Sequence, residues 1–156
     1  MLFHGHLLVG MLVFLLTYNF FDDIFTGGNI FVIFLLVLLG SLLPDIDEKG
    51  TTINKWFGFI GIIFQKLFKH RGFLHSLIFF LIISFLVKII FSDAYGYALL
   101  LGLFAHILGD GISKMGVRLF YPLKFRIKGP LRVGSFAEVL ISFFIFCVIV
   151  LLLFFL

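Results

Sequence analysis

The residues able to do chemistry come in short groups. Ala105-His106-Ile107-Leu108-Gly109-Asp110 sets an imidazole and a carboxylate four residues apart. On a helix both project from one face and can bind one metal ion or adjacent ions. Leu42-Leu43-Pro44-Asp45-Ile46-Asp47 stops a helix at proline and follows it with two carboxylates two residues apart. In turn or extended geometry both can point at a common cation. A negative pair at a helix C-terminus opposes the macrodipole, so a nearby cation explains it better than capping does. His70-Arg71-Gly72-Phe73-Leu74-His75 supplies two imidazoles on either side of a glycine, with Arg71 available to hold an anionic group such as phosphate. His6 and Glu138 each open an apolar stretch.

Blander accounts exist for each group taken singly. A polar helix end with a capped or hydrated histidine would explain His106 and Asp110. A solvated helix terminus would explain Asp45 and Asp47. A basic interface signal explains Lys69 and Arg71 but neither His70 nor His75. Glu138 follows Gly134-Ser135 and is equally well read as a first-turn carboxylate favoured by the helix dipole. His4 reads as a hydrated side chain near the terminus, and Cys147, set among Phe, Ile and Val, as a packing residue.

The elements that must position these groups are set by an extreme composition. The chain has 156 residues, of which 62% are hydrophobic and 13% charged, and its mean hydropathy is +1.24. Soluble domains are roughly 45–50% apolar. A soluble chain this small could not cover so much apolar surface, which excludes a soluble globule, a disordered tail and a coiled coil. In lipid such a chain is at home, provided that helices satisfy its backbone. The expected fold is therefore all-α, a polytopic membrane helical bundle forming one domain over residues 1–156. Apolar runs at residues 5–21, 29–43, 73–91, 94–109 and 137–156 give about five spans. Residues 53–68, apolar but interrupted by Lys55, Gln65 and Lys66, read as a short interfacial or re-entrant helix, with a sixth, poorly formed span as the alternative. The first span has no basic leader and no clear cleavage site and reads as mature structure. One cysteine allows no intrachain disulfide and no Cys-rich metal cluster, so any ligands are His and carboxylates.

Charge gives these spans a direction. Residues 44–72 carry Lys49, Lys55, Lys66, Lys69 and Arg71, and residues 110–136 carry Lys114, Arg118, Lys124, Arg126, Lys128 and Arg132. Eleven of the twelve basic residues thus fall on one side, which the positive-inside rule makes cytoplasmic. The opposite turns carry Asp22, Asp23 and Asp93, while Lys88 can snorkel to that far interface. The N-terminus is expected inside and the C-terminus outside, in the inner membrane. With that topology His6, Asp45, Asp47, His70, His75, His106, Asp110 and Glu138 all lie at span ends near the cytoplasmic leaflet. Ionisable groups in spans are expensive, so their convergence points to function.

Laid out in this order, the residues resemble the YdjM-like family of membrane-bound proteins, inferred to be metal-dependent hydrolases. The matching blocks are Gly5-His6-Leu7-Leu8, Leu42-Leu43-Pro44-Asp45-Ile46-Asp47, His70-Arg71-Gly72-Phe73-Leu74-His75-Ser76-Leu77, and His106-Ile107-Leu108-Gly109-Asp110 running on to Gly116-Val117 and Pro122. Leu74 stands where the family often has Thr, and so does Ser113. The resemblance implies a membrane-bound hydrolase in which His6, Asp45, Asp47, His70, His75, His106 and Asp110 form a nitrogen and oxygen ligand set. Seven donors exceed one tetrahedral site and allow two or more ions bridged by carboxylates, Zn²⁺ best and Mn²⁺ or Fe²⁺ next. Arg71, with Arg118 or Arg126, would hold a substrate phosphate, and Glu138 is carried as a catalytic candidate. A site at the leaflet boundary favours an amphiphilic, phosphorylated substrate, hydrolysed by metal-activated water.

Two other functions fit the sequence. A metal-ion or proton transporter would need polar groups at several depths, whereas stretches 7–16 and 140–155 are nearly featureless. A noncatalytic protein could use metal to staple its helices and bind a partner through the basic loop 114–132. Anionic lipid headgroups are the simplest such partner. Nucleic acid is not expected, because no recognised motif or stacking platform accompanies the charge.

Overall fold

The computed structural model describes residues 1–68 and 71–155. Among the described residues seven α-helices follow in chain order: α1 (Phe3–Phe20), α2 (Ile30–Leu42), α3 (Thr52–Trp56), α4 (Phe59–Leu67), α5 (Leu77–Ile90), α6 (Asp93–Gly111) and α7 (Phe136–Phe155). Three short 3-10 turns join them, at Asp22–Phe25, Leu43–Asp47 and Phe73–His75. Among the described residues there is no β-strand, only two isolated bridges in the loop after α6. The all-α expectation holds. Three stretches, Phe3–Phe20, Ile30–Asp47 and Phe136–Phe155, are long and apolar enough to cross a membrane, and α5 is a shorter apolar helix.

Local chemistry explains where the helices start. Asn29 caps α2 by accepting from the Phe31 and Val32 N–H groups. α2 ends where Pro44 tightens the chain into the Leu43–Asp47 turn. Ser76 caps α5 by accepting from Phe79 N–H, so the expected third span begins at Leu77 and leaves Phe73–His75 as a separate turn. The expected interfacial helix is two helices, broken at Gly58 with φ +51°, a conformation natural to glycine. Buried Asn54 spans that break. Its Nδ2 donates to the Ile46 carbonyl at 2.6 Å and the Gly61 carbonyl at 2.9 Å, tying α3 and α4 to the Leu43–Asp47 turn.

α6 is the centre of the bundle and packs against α1, α2 and α5, while α7 lies on α1. Its buried positions include Ala94, Gly96, Ala98, Gly102, Ala105 and Gly109. Small residues let neighbouring backbones approach closely where lipid offers no hydrophobic drive between helices. At the α2–α6 crossing a Cβ on Gly102 would run into the Val37 carbonyl, and one on Gly40 would lie 2.7 Å from the Leu99 carbonyl. α7 shows the opposite pattern, with Phe143, Phe144, Phe154 and Phe155 all exposed, as suits a helix bathed in lipid.

Candidate metal centre

Each chemical group sits at an element end. His6 is in the opening turn of α1, Asp45 and Asp47 in the turn after α2, and His75 in the turn before α5. His106 and Asp110 are in the last two turns of α6. Packing of α1, α2 and α5 around α6 brings these ends together. His6, His75, His106 and Asp110 are wholly buried, whereas the Asp45 side chain keeps 15% of its surface exposed.

Asp45, His75, His106 and Asp110 each offer one ligand atom, and these four atoms lie within 4.8 Å of one another. Asp45 Oδ1 is 3.6 Å from His75 Nε2 and 3.7 Å from His106 Nε2. Asp110 Oδ2 is 3.9 Å from each of the same two nitrogens. These separations exceed hydrogen bonds, yet they come close to the roughly 3.4 Å edge of a tetrahedron with ligands about 2.1 Å from a central ion. His106 Nε2 and Asp110 Oδ2 are buried without a hydrogen-bond partner among the described residues. Leaving such groups unmatched costs about 1–3 kcal/mol each, a debt that a shared cation removes.

The surroundings orient the ligands. His106 Nδ1 lies 2.8 Å from the Ser41 carbonyl, which can only accept, so Nδ1 carries the proton and Nε2 keeps its lone pair for the cluster. Asp47 Oδ2 faces His75 Nδ1 at 3.7 Å, on the side of the ring away from the shared centre. His6 stacks on His106 with centroids 4.1 Å apart and planes 7° from parallel. That stack depends on Gly109, where a Cβ would be 3.0 Å from His6 Nδ1.

Arg71 is buried and fully directed inward. Its Nη2 donates to Asp110 Oδ1 at 2.9 Å, and its Nη1 to Ser113 Oγ at 3.1 Å and the Gly116 carbonyl at 3.0 Å. Ser113 Oγ in turn donates to the Asp110 carbonyl at 2.8 Å, so Ser113 supplies an engaged hydroxyl where the family often has Thr. Met1 N lies 2.8 Å from the same Asp110 oxygen. Glu138 is also buried, but its carboxylate accepts from Leu2 N–H and Gly134 N–H, each at 2.6 Å. It joins the start of α1 to the segment before α7, and no hydrogen bond or ion pair links it to the described members of the His/Asp group. His70, expected as a ligand, lies outside the described residues.

Asp45 is the route to the cluster. It lines a cavity of about 370 Å³ together with Arg71, Lys49 and the rest of the 48–52 loop and with apolar Leu2, Phe3, Met115 and Val133. Lys49 is exposed, with no ion pair to a described residue. Sequence reasoning missed Lys49 as a wall of the site, because nothing in its spacing distinguishes it from other surface cations. It also missed Ser41, which acts through a backbone carbonyl that no side-chain motif reveals.

A family model described as "YdjM inner membrane protein" matches residues 1–156. The chain belongs to the YdjM inner membrane protein family. It is 32% identical over 106 residues to the uncharacterized protein YvsG of Bacillus subtilis (strain 168), covering 66% of each chain. It is 35% identical over 103 residues to the inner membrane protein YdjM of Escherichia coli (strain K12), covering 62% of this chain and 52% of that one. The same figures hold for the inner membrane protein YdjM of Shigella flexneri. The match thus spans about two thirds of YvsG and about half of the YdjM proteins. No solved structure matches. Membership bears out the resemblance read from the four sequence blocks, and the apolar helices fit a family of membrane proteins.

Proposed function

We propose that the protein is a membrane-embedded, metal-dependent hydrolase of phosphoesters in lipid or lipid-linked molecules. The observation that carries this reading is the four-donor group of Asp45, His75, His106 and Asp110, which is buried except where Asp45 opens onto the cavity. Two imidazoles and two carboxylates suit Zn²⁺, and also Mn²⁺ or Fe²⁺. Such an ion, when bound, makes water nucleophilic near neutral pH and polarises a phosphoryl oxygen.

The chain's own residues supply the rest. Ser41 and Asp47 orient the two imidazoles, and Arg71 fixes Asp110 instead of reaching for substrate. Lys49 is the cation left on the cavity wall for an anionic headgroup. Leu2, Phe3, Met115 and Val133 give the same cavity an apolar side for the beginning of an acyl or isoprenoid chain. The excess of Lys and Arg in the 44–72 and 110–136 segments supports a cytoplasmic position for this end of the bundle, with a multi-pass arrangement in the inner membrane.

The test is hydrolysis of phospholipid and polyprenyl-phosphate esters in mixed micelles containing Zn²⁺ or Mn²⁺. The wild type is expected to release product, and Asp45→Ala and His106→Ala to lose about 100-fold or more in kcat/KM, beyond the roughly 10–100-fold that loss of a residue merely supporting a metal ligand costs. Full activity in both variants would sink the proposal. A noncatalytic role, with metal stapling the helices, becomes the better account if wild-type protein retains metal and no ester is cleaved.

A further inference from the structure

The two carboxylates at the heart of the cluster each use one oxygen in the four-donor group. Asp45 Oδ1 and Asp110 Oδ2 face His75 and His106. Their other oxygens point to a different donor. His6 Nε2 lies 3.5 Å from Asp110 Oδ1 and 3.9 Å from Asp45 Oδ2. His6 is wholly buried, and neither of its ring nitrogens has a hydrogen-bond partner among the described residues. An imidazole with both nitrogens unmatched in a dry interior is a costly feature that packing alone does not explain.

We infer that His6, Asp45 and Asp110 form a second divalent-ion position, so that the two carboxylates bridge a pair of ions. This inference rests on the reading of the four-donor group as a metal site. The stacking of His6 on His106 supports it independently. Two nearly parallel rings 4.1 Å apart, each presenting Nε2 to one oxygen of the same two carboxylates, suit ligands of neighbouring ions. In two-metal sites such ions stand about 3.5–4 Å apart.

The second position differs from the first in being incomplete. Three donors among the described residues leave coordination places open for water and for substrate oxygen, and Asp45, one of the three, lines the cavity. Asp45 carries both positions to the cavity wall, and the His6 position, with fewer donors among the described residues, keeps more places for substrate beside the four-donor ion. Arg71 Nη2 and Met1 N both contact Asp110 Oδ1. A carboxylate oxygen has two lone-pair directions, so an ion on this oxygen keeps one of those donors and displaces the other. The ligand class is therefore a pair of divalent cations, which would together supply the positive charge to hold a substrate phosphoryl group.

The experiment uses full-length protein, purified in detergent without a metal-binding tag, stripped of metal and equilibrated with Mn²⁺ by dialysis. Elemental analysis is expected to give two Mn per wild-type chain and one per chain in His6→Gln, a variant that keeps most of the ring's volume. Electron paramagnetic resonance of the wild type is expected to show the multiline signal of a spin-coupled pair. This readout needs no variant, so a folding defect in His6→Gln cannot mask the result. One uncoupled Mn per wild-type chain, or a coupled pair persisting in His6→Gln, would overturn the second position and leave the four-donor site standing. No bound Mn in any form would overturn both.

Discussion

Arg71 holds the buried end of α6 by charge. It was expected to grip a substrate phosphate; it lines the cavity, and its two terminal nitrogens are engaged with Asp110, Ser113 and the Gly116 carbonyl. Its backbone, at φ +57°, turns sharply to bring the side chain inward. Removing one partner of a buried ion pair typically costs about 3–5 kcal/mol, because the other charge is left uncompensated. Arg71→Met is therefore expected to lower thermal stability in detergent strongly. Ser113→Ala, which removes the hydroxyl's bonds to Arg71, the Asp110 carbonyl and the Gly116 N–H, should cost about 1–3 kcal/mol. Wild-type melting of Arg71→Met would show that Asp110 does not depend on this pair. Glu138 gives a similar lesson. Its position at the opening of the last apolar stretch was compatible with catalysis or with a helix-end role, and its carboxylate serves backbone N–H groups of Leu2 and Gly134.

The helices act as the ruler that spaces the ligands. α2 leads into Asp45, and α6 carries His106 and Asp110, so their separation sets the width of the cluster. Gly40 and Gly102 fix that separation at backbone contact. Gly102→Val is expected to push the helices apart and weaken metal binding by roughly tenfold or more, the scale seen when ligand positioning is disturbed. Gly111→Ala, on the same helix, meets only Ile127 Cγ2 at 3.8 Å and should bind as the wild type does. Equal affinity in all three proteins, measured by competition with a chromophoric chelator, would show that the crossing does not set the site. The apolar spans were legible in the sequence because lipid demands long runs of Phe, Leu and Ile. The clustering of His and Asp at one end was legible because charge bias assigns their span ends to one side. The break at Gly58, the start of α5 at Leu77 and the α2–α6 contact were not. They depend on capping, a left-handed turn and the fit of two backbones, none of which hydropathy records.

At the scale of the whole molecule the composition and the site are parts of one arrangement. The helix with the most buried positions, α6, packs against α1, α2 and α5, many of whose outward apolar side chains suit lipid, and its polar end carries His106 and Asp110. The surrounding helices exclude water from every member of the four-donor group except Asp45, where the cavity opens. A protein that handled ions by transport would place polar groups along a path through the bundle. Here the grouped His and Asp side chains gather at one end, and α7 carries no charged side chain beyond Glu138. That distribution favours chemistry at a membrane surface.

The most direct measurement is X-ray absorption at the zinc edge of wild-type protein loaded with one Zn²⁺ per chain, beside His75→Ala and His106→Ala. A first shell of only nitrogen and oxygen at about 2.0–2.1 Å, with outer-shell scattering from two imidazoles, is the predicted result. Each variant should lose one imidazole. A spectrum without imidazole scattering, or one unchanged by both substitutions, would contradict the claim that Asp45, His75, His106 and Asp110 hold the metal.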